Sequence, residues 1–126
     1  MKKKILVVED EMDIAELVKL VLQTEDFEVE AVLDSTAAYD KVKEYKPDAI
    51  LLDLAMPKMN GWEVFKQIRS DPEFARVPIA ILTAKTQAFD QMVGLHVMKA
   101  DGYITKPFGK KELINKLHEL FKERTE

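Results

Sequence analysis

Cysteine is absent from the chain, which excludes a disulfide framework, a thiolate metal site and a cysteine nucleophile. Also missing is any charge-free apolar stretch long enough to span a bilayer. The basic start Met1-Lys2-Lys3-Lys4 runs into an apolar segment that meets Glu9 and Asp10 almost at once. That is too short for a secretory signal and lacks a small-residue cleavage site, so the expected location is the cytoplasm. Positive charge is not in excess: 19 Lys and Arg against 23 Asp and Glu leave a formal charge of -4, which gives nucleic acid no electrostatic attraction. There is no internal repeat, low-complexity tract or long linker. What remains is a chain of 126 residues, 47% hydrophobic and 33% charged, the composition of one globular domain over residues 1–126 with a single core.

Short continuous apolar runs alternate with stretches of helical spacing, the pattern of βα units around a parallel sheet. Five units fit. Strands are expected at Lys4 to Val8, Phe27 to Val32, Ala49 to Leu52, Ile79 to Leu82 and Tyr103 to Thr105. The second, more amphipathic, suits a place near an edge, and the third, apolar throughout, suits the centre. Helices are expected from Met12 to Thr24, from a Ser35 cap to Glu44, from after Gly61 to Ser70, from Gln87 to Met98 and from Lys110 to Arg124. Met56-Pro57-Lys58-Met59-Asn60-Gly61 reads as a loop by its proline and glycine. Helix one carries more apolar surface than one buried face requires, through Met12, Leu17 and Leu20. Core packing at the rim and a docking stripe fit this equally well.

Four of the apolar runs end on residues suited to phosphate chemistry: Glu9 and Asp10, Asp53, Thr83, and Lys106. In an open parallel sheet these ends share one rim, where such folds bind their ligands. Taken singly, an acid at a strand end is more often a solvated loop residue or a helix cap; the joint pattern reverses that reading. A carboxylate can attack phosphorus to give an acyl phosphate, and Asp53, after the central strand, is the candidate. Magnesium (Mg2+), or manganese (Mn2+) in its place, takes oxygen ligands and uses one or two carboxylates beside phosphate oxygens. Asp10 and Asp53 suit direct ligation and Glu9 a water-mediated role. Lys106 offers a point charge and Thr83 a hydroxyl to phosphoryl oxygens, with Ala84 leaving room for the group to enter. His96 and His118 have no ligand partners at useful spacing.

The runs Val8-Glu9-Asp10-Glu11, Leu52-Asp53 with Met56-Pro57 and Gly61, Leu82-Thr83-Ala84, and Tyr103-Ile104-Thr105-Lys106-Pro107-Phe108 resemble, in order and together, the receiver domain of bacterial two-component response regulators. Short motifs of this kind are individually weak and jointly strong. The resemblance covers essentially the whole chain and is to the stand-alone, chemotaxis-regulator-like members. It implies an α/β fold of the flavodoxin-like (βα)5 type, a five-stranded doubly wound parallel sheet in the order 2-1-3-4-5. It implies phosphorylation at Asp53, metal ligands Glu9, Asp10, Asp53 and the Ala55 carbonyl, and a phosphoryl partner in Lys106, with Lys106-Pro107 cis. Thr83 and Tyr103 match the family's switch pair, which reshapes the surface of helix four, strand five and helix five. Implied partners are a sensor histidine kinase or histidine phosphotransfer protein and an unidentified downstream protein, with no direct nucleic acid and no membrane insertion. The chain is then a signalling switch rather than an enzyme, catalysing only its own phosphorylation and slow dephosphorylation.

Several positions depart from the commonest pattern of that family. Ala55 has no polar side chain to orient water, and Lys85 is placed to shield the phosphoryl group, so slow self-dephosphorylation is expected. Lys99 stands where glycine is usual and Asn60 where aspartate is common. An aspartyl-phosphate phosphatase would need a second acid two residues after the nucleophile, where this chain has Ala55. A flavodoxin-like cofactor binder would need a Ser/Thr/Gly-rich loop where it has Glu9-Asp10-Glu11-Met12. A scaffold that binds no metal is the third alternative.

Overall fold

Each continuous apolar run becomes a strand. A computed structural model describes residues 2–54, 61–84 and 100–125, with strands β1 (Lys4–Val8), β2 (Glu28–Val32), β3 (Ala49–Asp53), β4 (Ile79–Ala84) and β5 (Gly102–Lys106). All neighbours pair in parallel, in the order β2-β1-β3-β4-β5. This is the flavodoxin-like order expected, with β2 at an edge and β3 in the middle. Among the described residues the helices are α1 (Met12–Gln23), α2 (Ala38–Tyr45), α3 (Gly61–Ser70) and α4 (Lys110–Thr125), with 3-10 turns at Ser35–Ala37 and Pro72–Phe74. The expected helix from Gln87 to Met98, together with Lys85, His96 and Lys99, lies outside the described residues, as do Ala55 and Asn60.

Because strand side chains alternate between faces, the sheet divides the core in two. Leu6, Val8, Ile50 and Leu52 face Val42 of α2 and Val64, Phe65 and Ile68 of α3. On the other side Ile5, Val7, Leu51 and Leu82 meet Val18 and Leu22 of α1 and Leu113, Leu117 and Leu120 of α4. Helices thus cover both faces, which is why β1 and β3 lack the polar alternation of a half-exposed strand. No described helix is long and apolar enough to cross a membrane.

One expected cap is corrected. Ser35 does not cap the second helix; it is buried inside the 3-10 turn that precedes it, and Asp34 caps that turn, accepting from the Thr36 amide at 2.9 Å and the Thr36 hydroxyl at 2.7 Å, while α2 itself starts from Ala37 without a side-chain cap bond. One carboxylate oxygen of Asp34, Oδ1, takes both donors, and that fixes the turn one residue earlier.

Candidate functional site

Strand register assembles the site before any side-chain contact is considered. Val8 pairs with Leu52 and Asp53 with Leu82, so Glu9, next after Val8, falls in the row of Asp53. Asp10 follows just beyond the strand. It is not the cap of α1, because the capping position is Glu11 and makes no side-chain cap bond. Thr83 pairs with Thr105 and Ala84 with Lys106, which sets β5 two residues past the acidic row. Lys106 crosses that gap with its long side chain, over 97 positions of sequence, and places Nζ 2.6 Å from Glu9 Oε1 and 3.4 Å from Asp53 Oδ1.

The electrostatics follow from burial. Glu9 and Asp53 are 0% and 2% exposed, and Asp10 is intermediate. One oxygen from each of the three carboxylates lies within 4.8 Å of the others. Burial, opposed by the Lys106 ammonium and reinforced by Asp53, lifts the Glu9 carboxyl to about 7. For Lys106, burial favours the neutral amine, but the carboxylates of Glu9 and Asp53 outweigh it and hold the ammonium above the ordinary lysine value. Three close carboxylates with one ammonium form an anionic, all-oxygen donor set. That chemistry fits a hard divalent cation such as Mg2+ or Mn2+.

Backbone proximity fixes where Asp53 stands. At the start of α3, the Gly61 amide donates to the Leu54 carbonyl at 3.0 Å. A side chain there would collide with the Asp53 carbonyl oxygen and stand 2.7 Å from Leu54 Cα. Only glycine lets the helix begin this close to the strand end. The sequence marks Gly61 as a loop residue; the close approach behind it depends on partners in space.

Of the other expected site residues, Thr83 holds its place at the end of β4. Tyr103 is half-buried against the α2/α3 core, and the Lys106–Pro107 peptide is cis, as expected. Ala55 is outside the described residues. Trp62 opens α3 and packs edge-on to Phe65 at 5.8 Å between ring centroids. His118 is away from the site, 6.0 Å from the Phe27 ring centroid and 3.9 Å from Glu25. Sequence reasoning missed the direct Glu9–Lys106 pair, since a contact across 97 positions leaves no periodicity to read.

Beside the acids, Ile14, Leu17, Pro107 and Phe108 line, with Lys106, a cavity of about 280 Å3. The exposed Met12, Leu17 and Leu20, at 61%, 49% and 62%, lie along the same helix.

A doubly wound parallel sheet with a buried aspartate, an acidic pair and a lysine gathered at its carboxyl rim places the chain in the flavodoxin-like class of α/β proteins. A family model described as the response regulator receiver domain matches residues 5–118. The response regulator MtrA of Mycolicibacterium paratuberculosis, named as DNA-binding, is 45% identical over 114 residues, covering 90% of this chain and 49% of that protein. The chain thus spans about half the length of the curated relatives it matches. Among solved structures, the chemotaxis response regulator CheY4 of Vibrio cholerae superposes with a TM-score of 0.88 at 31% identity, covering 95% of this chain and 99% of that one. A response regulator of Chloroflexus aurantiacus gives 0.89 at 28%, covering 95% and 98%. The chain belongs to the response regulator receiver family, the receiver module of two-component signalling.

Proposed function

We propose that this receiver takes a phosphoryl group from a phosphohistidine of a sensor kinase or phosphotransfer protein onto Asp53, and that the modified form presents a changed surface to a protein partner. The observation that carries this reading is the buried Asp53 carboxylate with the Lys106 ammonium 3.4 Å away in the same cluster as Glu9 and Asp10. An Asp53 carboxylate oxygen attacks phosphorus to form the acyl-phosphate O–P bond. The P–N bond of the donor breaks, and the imidazole nitrogen keeps its electron pair. Little further covalent help is needed, so alignment and charge neutralisation dominate. Lys106 supplies the fixed positive charge for one phosphoryl oxygen, and the Thr83 hydroxyl serves another. Asp10, Asp53 and the Ala55 carbonyl would hold Mg2+ or Mn2+, with Glu9 acting through water. The bound cation would offset phosphoryl charge and favour the ionised form of Glu9.

Phosphorylation adds close to two negative charges and three strong acceptors. Thr83 is drawn toward Asp53, the Tyr103 ring moves into the space left, and the face formed by β5, α4 and the helix expected at Gln87 to Met98 changes shape. A coupling of about 1–3 kcal/mol is enough for such a switch. The donor docks on the exposed apolar stripe of α1 and the adjoining cavity, which open beside the acids. The product is a modified protein rather than a released small molecule, so the chain acts as a switch and not as an enzyme on an external substrate.

Incubation with acetyl phosphate and magnesium, followed by intact mass measurement, is expected to add one phosphate to the wild type and none to Asp53→Asn. Equal labelling of the two proteins overturns the assignment.

A further inference from the structure

The sheet leaves an open edge at β2. That strand pairs with β1 from Glu28 opposite Lys4 to Val32 opposite Val8, and no described strand lies on its other side. The Glu28 amide donates to the Lys3 carbonyl at 2.9 Å, and the Val32 carbonyl accepts the Glu9 amide at 3.1 Å. Backbone groups alternate in direction along a strand, so Glu28, Glu30 and Val32 face β1 while Val29 and Ala31 turn their N–H and C=O outward. The register runs without a bulge and no proline interrupts it, which makes this row a template for a further strand. Charge decides what can join it. Residues 25–48, which carry β2 and α2, hold eight Asp and Glu against three Lys. All three lysines are engaged: Lys41 with Glu30 at 2.7 Å and Glu44 at 3.3 Å, Lys43 with Asp40 at 3.4 Å, and Lys46 with Glu73 at 2.8 Å. The Tyr45 hydroxyl, 2.9 Å from Glu28 Oε2, holds Glu28 on the α2 side of the edge as well. On that side a cavity of about 340 Å3 opens between β2 and α2, lined by Ala31, Val32, Ala37, Asp40, Lys41 and Glu44.

We propose that the open edge of β2 docks an extended basic segment of a partner protein, which adds as a sixth strand and sets lysine or arginine side chains over the cavity beside Asp40 and Glu44. Main-chain bonds to Val29 and Ala31 hold the segment, and the acidic wall selects its sign. Alternate side chains of a strand share a face, so basic residues are required at every second position. Apolar residues suit the positions between, on the side where Val29 and Ala31 pack against the α1 core. A second copy of β2 is disfavoured here, because its glutamates would meet these and like charges directly opposite destabilise a strand pair. β1 separates the edge from Asp53 on β3, so this docking needs no phosphoryl group and stands apart from the phosphoacceptor reading.

Titration of the isotope-labelled wild type with a capped hexapeptide of alternating lysine and valine, followed by amide NMR with magnesium chloride present, tests it. The largest shifts are expected at Val29 and Ala31. Shifts centred on Glu9 and Asp10 overturn the proposal, since the peptide would then be answering the acidic rim. A hexapeptide of alternating glutamate and valine is expected not to bind, and equal binding of the two peptides overturns the selection by charge. N-methylation of the lysine peptide at one alternating set of amides removes the donors that face β2 and should weaken binding about tenfold, the loss of one net hydrogen bond. Methylation of the other set should be tolerated. An equal response to both sets, or to neither, overturns strand addition, and this arm leaves the protein unaltered. Asp40→Asn with Glu44→Gln should weaken the lysine peptide severalfold, and unchanged affinity overturns the place given to its basic side chains. Light scattering of the peptide-free protein should give a monomer that Glu28→Gln with Glu30→Gln does not make tighter. A dimer of the wild type broken by Ala31→Pro, which removes only an outward N–H, would assign the edge to a second copy and overturn the proposal.

Discussion

Glu9 shows how one buried carboxyl sets a pH window. In the folded chain it takes its proton at about 7, against an ordinary 4.5, so between those values the folded state binds more protons than the unfolded one. The Glu9 contribution to stability is therefore full below about pH 4.5 and is lost as pH rises through 7. Thermal melts of the cation-free protein are expected to show this loss, and Glu9→Gln to flatten it. Cation binding has the opposite slope, because it needs the ionised acid: magnesium affinity should climb with pH and level off above about 7, read by calorimetric titration across that range. At Gly61 the consequence is steric. Gly61→Ala forces α3 away from the Asp53 carbonyl and is expected to cost about 1–3 kcal/mol in chemical denaturation, with weaker magnesium binding because Asp53 shifts with its backbone. The residue types at the site were legible in sequence, since an acid, a hydroxyl or a lysine closing an apolar run stands out. The pairing of Lys106 with Glu9 was not, because it is decided by a two-residue offset between strand ends.

Among elements, the strands were the most legible: Lys4–Val8 is observed as expected, and Asp53 and Lys106 prove to be the last residues of their strands rather than the first beyond them. Local hydrogen bonding was harder to read, as the exchange of Ser35 for Asp34 at the cap illustrates. A clamp at the amino end of the sheet was not legible at all. Arg69, in the last turn of α3, donates to the Phe74 carbonyl at 3.2 Å, the Val77 carbonyl at 2.7 Å and Asp101 Oδ2 at 2.7 Å. The same Asp101 oxygen accepts the Ile79 amide at 2.8 Å. One half-buried side chain thereby ties α3 to the entrances of β4 and β5. Arg69→Met is expected to lower stability by about 2–4 kcal/mol in urea denaturation. Magnesium affinity should stay within about twofold of wild type, since the clamp and the acidic rim lie at opposite ends of the strands.

For the molecule as a whole, the division of labour between faces predicts which changes separate folding from signalling. Leu17 and Leu20 of α1 are exposed, whereas Ala15, Val18 and Leu22 of the same helix are buried. Replacing both leucines by glutamate should change stability by no more than about 0.5 kcal/mol. Transfer from a phosphohistidine donor should slow about tenfold, as loss of a contact worth about 1.4 kcal/mol would do, while labelling by acetyl phosphate continues at the wild-type rate. Parallel timed assays with the two donors check this.

The bond between Glu9, just past β1, and Lys106, the last residue of β5, spans most of the chain. Closing so wide a loop is among the slower and later events of folding. A chain still emerging from the ribosome can display Glu9, Asp10 and Asp53 before Lys106 is there to set beside them. If the site works as proposed, competence to receive the signal comes only with completion of the sheet.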